Sequence, residues 1–336
     1  MKKQRIIIVV GLTVVALLLF GAGAGVYTGY LGLSWDAGTA KSDDPALAKQ
    51  LKSSKQQDRS AGPEATDILF LGTNAPESAP DSTAPTDSTA STGFPTDMIM
   101  VVHIPADRSG VQLVSIPNET WVPVPGHGQG TIDSSAEIGG LPLAVQTVSE
   151  FLAITIDHVA VIDLAGLSDL TDLVGGVEVD SSTAFESGDH EFRVGSNTLD
   201  GAAALAFISE RTAFPNGDLQ RIHNQQEFIR AVGTQLLSAD YEFNPLKMSE
   251  LVRVLSPFLT VDSGLNASTL VKLVSQLEEI SEDDFDFVTA PAEVPLVPDD
   301  DGARLTADHG GLEKLKQAIA DDTVSDYGFE AEDTRR

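Results

Sequence analysis

The sequence predicts an α/β (α+β) fold: one three-layer-like domain whose central mixed sheet is flanked by helices, preceded by a single transmembrane helix. Three observations predict it. β-rich runs and helical runs alternate from residue 67 to about 320, the pattern of a layered sheet-and-helix domain. Ile6 to Tyr27 is 22 residues without a charged side chain; as a helix it reaches about 33 Å, enough for a hydrocarbon core of about 30 Å. The 336 residues include no cysteine, so packing rather than disulfides must hold the domain.

Lys2, Lys3 and Arg5 precede the apolar run. Basic residues stay on the cytoplasmic side, which makes 1–5 a cytoplasmic tail, 6–27 the span and the remainder extracytoplasmic. A cleaved signal peptide is the rival: its apolar core is about 7–15 residues followed by small residues, and Gly21 to Gly25 supplies those. The length favours an anchor. Residues 28–66, rich in Ser, Ala, Lys, Gln and Asp, read as a stalk with a short helix over Ala46 to Lys55. The net charge is −29, about −32 for the outer part once the three basic residues before the anchor are set aside. Such a surface repels nucleic acid, which binding proteins meet with basic patches.

The domain spans 67–325. Asp67 to Leu71 is its first strand, and 75–93 lacks any large apolar residue, the composition of a mobile loop. Met98 to Ile104 and Val111 to Ile116 flank a Pro–Gly turn and form a hairpin. Leu141 to Leu152 has helical periodicity. Thr155 to Asp163 is a strand, and Leu164 to Val174 a helix closed by Gly175-Gly176. Asp200 caps a helix over Gly201 to Ser209, and Asp218 caps a longer one to about Ser238. Leu219, Ile222, Ile229, Val232 and Leu236 form its apolar face. Helices follow near Met248 to Leu255, Ala267 to Ile280 and Gly311 to Ala320. The stretch from Phe285 to Leu305 reads as irregular and 326–336 as an acidic tail.

Chemistry concentrates on the polar side of the Asp218 helix. Arg221 and Gln225 are four apart and share a face, with Asn224 beside them and Arg211 just upstream. Two guanidinium groups near a helix start suit an anion. An ordinary solvated face, with an arginine pairing Asp218 or Glu210, uses the same spacing. The six histidines are scattered without metal-ligand spacing.

These residues also carry a resemblance. Leu205 to Arg211, then Asp218, Arg221 and Gln225-Gln226, resemble the C-terminal signature of the LytR–CpsA–Psr family. Ile68 to Gly72 resembles that family's opening strand. Thr96-Asp97-Met98-Ile99-Met100 resembles its Arg-Ser-Asp-Thr-Met segment, and Val114 to Thr120 its Leu-Ser-Ile-Pro-Arg-Asp-Thr segment. Val174 to Val179 and Gly195 to Gly201 match two more, in order, over roughly residues 66–240.

The resemblance implies a phosphotransferase on the cell membrane, single-pass with its C-terminal domain extracytoplasmic. It would move a glycopolymer from a polyprenyl-pyrophosphate carrier onto peptidoglycan or another wall glycan. It further implies an apolar tunnel for the lipid, arginines on the pyrophosphate and a carboxylate-bound Mg²⁺; phosphoryl transfer is mainly positioning and charge stabilisation. Carried over residue by residue, the catalytic set is Arg211, Arg221, Asp218 and Asn118. Asn224 and Gln225 are the substrate-binding pair, and Asp97 with Asn74 the metal ligands. The sequence departs from the family's pattern at several of these: Asn118, Pro76, Pro95, Ser209 and Asn224 stand where the family has arginine, and Asn74 where it has a carboxylate. A catalytically impaired homologue that binds lipid carrier or wall polymer without transfer is therefore the alternative. A transcriptional regulator is disfavoured by the charge.

Overall fold

A computed structural model of the chain describes residues 32, 34–55, 64–74, 93–215, 217–236, 245–277, 284–293 and 305–327. The apolar stretch 6–27, residues 75–92 of the expected loop 75–93, and residues 328–336 of the expected tail 326–336 lie outside the described residues. Among the described residues, no helix is long and apolar enough to cross a membrane.

In chain order, β1 is Ala40–Ser42 and α1 is Pro45–Lys55. Next come β2 (Thr66–Thr73), β3 (Met98–Ile104) and β4 (Val111–Ser115), buried along almost their whole length. Strands covered on both faces need continuous rather than alternating apolar residues, which is why these three are legible in the sequence. The expected hairpin is present, with Met100 opposite Ser115 and Val102 opposite Leu113. A second hairpin, β5 (Thr120–Val124) with β6 (Gly128–Thr131), was not expected. Helix α2 is Ser134–Leu152, longer than the expected Leu141 to Leu152, and it kinks where Gly140 takes φ 60° ahead of Pro142.

The chain continues through β7 (His158–Asp163) and α3 (Ala165–Leu173). The predicted glycine stop after α3 is present: Gly175 and Gly176 have φ 83° and 95°, and Gly176 N donates to Thr171 O at 2.9 Å. Short strands β8 (Val177–Ser181), β9 (Phe185–Ser187), β10 (His190–Phe192) and β11 (Gly195–Leu199) pair as β8–β11 and β9–β10. Helix α4 (Gly201–Ser209) starts at the predicted cap, where Asp200 accepts from Ala203 N at 2.9 Å. The remaining elements are α5 (Gly217–Leu236), α6 (Pro245–Leu255), β12 (Leu259–Asp262), α7 (Ala267–Gln276), β13 (Phe285–Thr289), β14 (Ala292–Glu293), β15 (Leu305–Ala307) and α8 (His309–Ala320). The stretch after Phe285, expected to be irregular, thus contains strands.

The residues group into two compact units, each drawn from separate stretches of chain. One comprises Ser42–Asp107, Gln112–Val161 and Asp286–Arg336. It contains the strand order β7-β2-β3-β4-β13 and a smaller sheet, β14-β15-β5-β6, in which β15 runs parallel to β5. Its core joins Leu69, Leu71, Val101 and Val114 to Val145 and Leu152 of α2 and to Leu312, Leu315 and Ile319 of α8. Leu47 and Leu51 belong to the same core. Residues 45–55, assigned to a stalk, are therefore part of the fold: two leucines one turn apart give α1 a face to bury.

A buried polar link lies in this unit. His103, on β3, has Nδ1 2.8 Å from Asp67 Oδ1 and Nε2 3.1 Å from Asp322 Oδ1. The other Asp322 oxygen accepts from Ala106 N at 2.9 Å. Asp322 lies just beyond α8 in the left-handed region, at φ 55°.

The second unit comprises Met1–Lys41, Arg108–Val111 and Ile162–Phe285. Within it α3 packs on α4 and α6, and α4 on α5. Trp35 is 1% exposed, and its indole Nε1 donates to Leu265 O at 3.1 Å. Here too residues given to the stalk are built into a core. Phe214 and Phe192 pack edge-on, against Phe185 and Phe207 respectively, and Phe185 stacks on Phe192.

Candidate functional site

In the first unit, the candidate residues gather at one end of β2, β3 and β4. Gly72 of β2 is opposite Met98 of β3, and Asp97 N donates to Gly72 O at 2.8 Å. Asp97, half-buried and just before β3, and Asn74, exposed and just after β2, therefore lie at the same end of neighbouring strands. Asn118 reaches the same end from β4. It is 3% exposed, and its Nδ2 donates to Thr96 O at 2.6 Å. The amide thus ties the segment after β4 to the segment carrying Asp97. Thr96 adds a residue that the motif reading passed over: its hydroxyl is buried and makes no hydrogen bond. Nothing in a Thr-Asp pair signals this, because burial depends on neighbours that the pair itself does not name.

The second set lies on α5 and the loop before it. Asp218, Arg221, Asn224, Gln225 and Gln226 are all buried, as are Ile222, Ile229 and Val232 on the same helix. A solvated polar face, the plain reading of the spacing, is therefore excluded. Burying a guanidinium is costly unless it is paired, and Arg221 Nη2 donates to Asp218 Oδ1. Asp218 corrects another expectation. Helix α5 begins at Gly217, so Asp218 lies inside its first turn and orients Arg221 rather than capping the helix.

Asn224 and Gln225, assigned to substrate, turn towards the preceding helix. Asn224 Nδ2 donates to Phe207 O and Gln225 Nε2 to Ile208 O, both at 3.2 Å. These carbonyls belong to the last turn of α4, where intrahelical partners run out. Ser209, at a family arginine position, has a buried hydroxyl without a hydrogen bond. Arg211 is exposed on the loop that follows.

Glu210, unremarked in the sequence except as a pairing option, organises that loop. Its Oε1 accepts from Thr212 N at 2.7 Å, Thr212 Oγ1 at 2.7 Å and Ala213 N at 2.9 Å. Slight burial pushes its carboxyl up, but hydrogen bonds from Thr212, Ser187 and Ala213 outweigh this and lower it to about 2.

Among the described residues, no group of three His, Cys, Asp or Glu side chains could hold a metal ion. The metal-ligating expectation therefore rests on Asp97 and the Asn74 amide alone.

The arrangement is a mixed sheet flanked by helices, with a buried, carboxylate-held arginine on one helix. The fold is that of a class of α/β protein whose solved members include TagV of B. subtilis. TagV superposes with a TM-score of 0.62 at 22% identity, covering 78% of this chain and 98% of TagV. A structure of TagT bound to LI-WTA gives 0.58 at 19% identity, over 80% and 95% of the two chains. The LytR_cpsA_psr family model matches residues 32–320, and the chain belongs to that family. Among its curated relatives is the cell wall biosynthesis protein LcpA of Corynebacterium glutamicum, 29% identical over 70% of this chain and 51% of LcpA. Another is the polyisoprenyl-teichoic acid–peptidoglycan teichoic acid transferase TagU of Enterococcus faecalis, 31% identical over 70% of this chain and 72% of TagU. The chain thus spans about half the length of LcpA.

Proposed function

We propose that the protein is a membrane-anchored, extracytoplasmic phosphotransferase that attaches glycopolymers from polyprenyl-pyrophosphate carriers to peptidoglycan or another wall glycan. The observation that carries this is Arg221, 2% exposed and held by the equally buried Asp218. A guanidinium fixed in a low-dielectric place needs little reorganisation to stabilise phosphate charge. The TagU relative, named for teichoic acid transfer to peptidoglycan, supports the reaction class. Stretch 6–27 would be the anchor.

Arg221 and Arg211 would hold the pyrophosphate, Arg221 as a pre-aligned donor and Arg211 from the exposed loop. By their chemistry, Asp97 and the Asn74 amide oxygen are the residues of the first unit that would hold a magnesium ion, because Mg²⁺ is commonly held by one or two carboxylates. When bound there, the ion would supply positive charge for stabilising phosphate oxygens. The chain's own residues bind and orient.

The test is Mg²⁺-dependent release of phosphate from a polyprenyl-pyrophosphate-linked glycopolymer by the purified full chain. Arg221→Ala should abolish it. Because that variant breaks a buried ion pair, which alone costs about 3–5 kcal/mol, the exposed Arg211→Ala is the companion. A lost charge-assisted contact of about 1.5–3 kcal/mol should slow turnover about 10- to 150-fold. A full chain that retains bound lipid yet shows no turnover would reject the reading.

One contact favours a second reading, a homologue that binds carrier or wall polymer without transfer. Asn118 stands at a family arginine position and its amide is committed to Thr96 O, so it brings no charge to a phosphate. Turnover at rates comparable to TagU would end that reading.

A further inference from the structure

We infer that Glu210 is a positioning residue for Arg211, holding the segment 211–214 so that the exposed guanidinium is presented to a pyrophosphate-class anion. The inference rests on the phosphate-binding reading above.

The geometry is local and complete within one unit. Glu210 immediately precedes Arg211, and its side chain folds forward over the next two residues. One carboxylate oxygen receives two backbone N–H groups and one hydroxyl, at 2.7–2.9 Å. Ser187, at the end of β9, donates to the same side chain. The carboxylate therefore satisfies two amides of the segment that follows α4, and ties that segment to a neighbouring strand. Charge-assisted bonds of this kind are roughly twice as strong as neutral ones.

Further along, the loop is fixed by packing. Phe214 is 7% exposed, its ring edge-on to Phe185 at 4.8 Å between centroids. Phe214 N donates to Arg211 O at 3.4 Å, and Gly217 N to Phe214 O at 3.2 Å. At Gly217 a Cβ would lie 3.1 Å from Arg211 O, so α5 starts close against the arginine's own carbonyl. The backbone of Arg211 is thus held from both sides while its side chain stays exposed. Arg211 is also the sole charged residue from 211 to 217. A fixed Cα under a long, exposed side chain reduces the ordering that ligand capture requires.

The experiment measures inorganic pyrophosphate affinity by calorimetry on the full chain and amide exchange at Thr212 and Ala213. Glu210→Ala should weaken pyrophosphate about tenfold and speed exchange at both amides. Glu210→Gln, which keeps an acceptor oxygen but not the charge, should fall between. Arg211→Ala should weaken binding similarly, and the Glu210→Ala/Arg211→Ala double variant should bind no more weakly than Arg211→Ala alone, because Glu210 acts through Arg211. Additive losses, or unchanged exchange at 212 and 213 in Glu210→Ala, overturn the inference. Unchanged affinity in Arg211→Ala sinks the phosphate reading instead, and the exchange result then decides whether Glu210 anchors the loop.

Discussion

At Asp200 and Gly201, adjacent residues perform separate tasks that the sequence reveals unequally. Asp200 caps α4, as its position before a helical run predicts. Gly201 is required by something distant: a Cβ there would lie 2.4 Å from Ser168 O on α3. Gly201→Ala should therefore destabilise the fold by about 1–3 kcal/mol, the range for overpacking, whereas Asp200→Ala should cost about 1 kcal/mol. Urea unfolding checks both, and a Gly201→Ala cost below about 0.5 kcal/mol would contradict the close-approach argument. Asp218 went the other way. A carboxylate three residues before an arginine looks alike whether it caps a helix or pairs within one, and only the helical state of Gly217 separates the cases. Asn118, Asn224 and Gln225 were legible as special positions, but their hydrogen bonds to backbone carbonyls depend on neighbours that no spacing rule names.

Among elements, legibility followed length and burial. β2, β3 and β4 are long and covered, so their apolar runs stood out. The pairs β9–β10 and β14–β15 are two or three residues per strand, too short for a period to register. β13 was hidden by Asp286 between Phe285 and Phe287. The stretch from Trp35 to α1 was misassigned because its polar composition outweighed a few large apolar side chains. That makes a direct expectation: Trp35→Ala should lower stability by about 3–5 kcal/mol, the range for emptying a buried aromatic site. A stalk residue would change it by under about 0.5 kcal/mol. Thermal or urea denaturation of the full chain distinguishes the two.

For the molecule as a whole, the His103 link sets an expected pH response. Burial pushes His103 down, but Asp67 and Asp322 at its two ring nitrogens outweigh this and raise it above 6.5. The fold thus favours the charged imidazole. Its contribution is full below about pH 6.5 and is lost as pH rises through the higher folded value. Asp67 is itself raised, chiefly by burial, against the opposing pull of His103. The Tm of the unaltered chain should therefore decline from about pH 6.5 upwards relative to that of His103→Gln. Parallel curves for the two proteins would show that the link does not titrate in this range.

The same contact binds the beginning of the sheet to nearly the last described residue. During synthesis, β2, β3 and β4 are all made long before Asp322, so His103 waits without its second carboxylate, and the sheet without Leu312, Leu315, Ile319 and Val324. A nonsense codon before about 320 should give a product that proteases clear, while one just after Tyr327 removes none of these contacts.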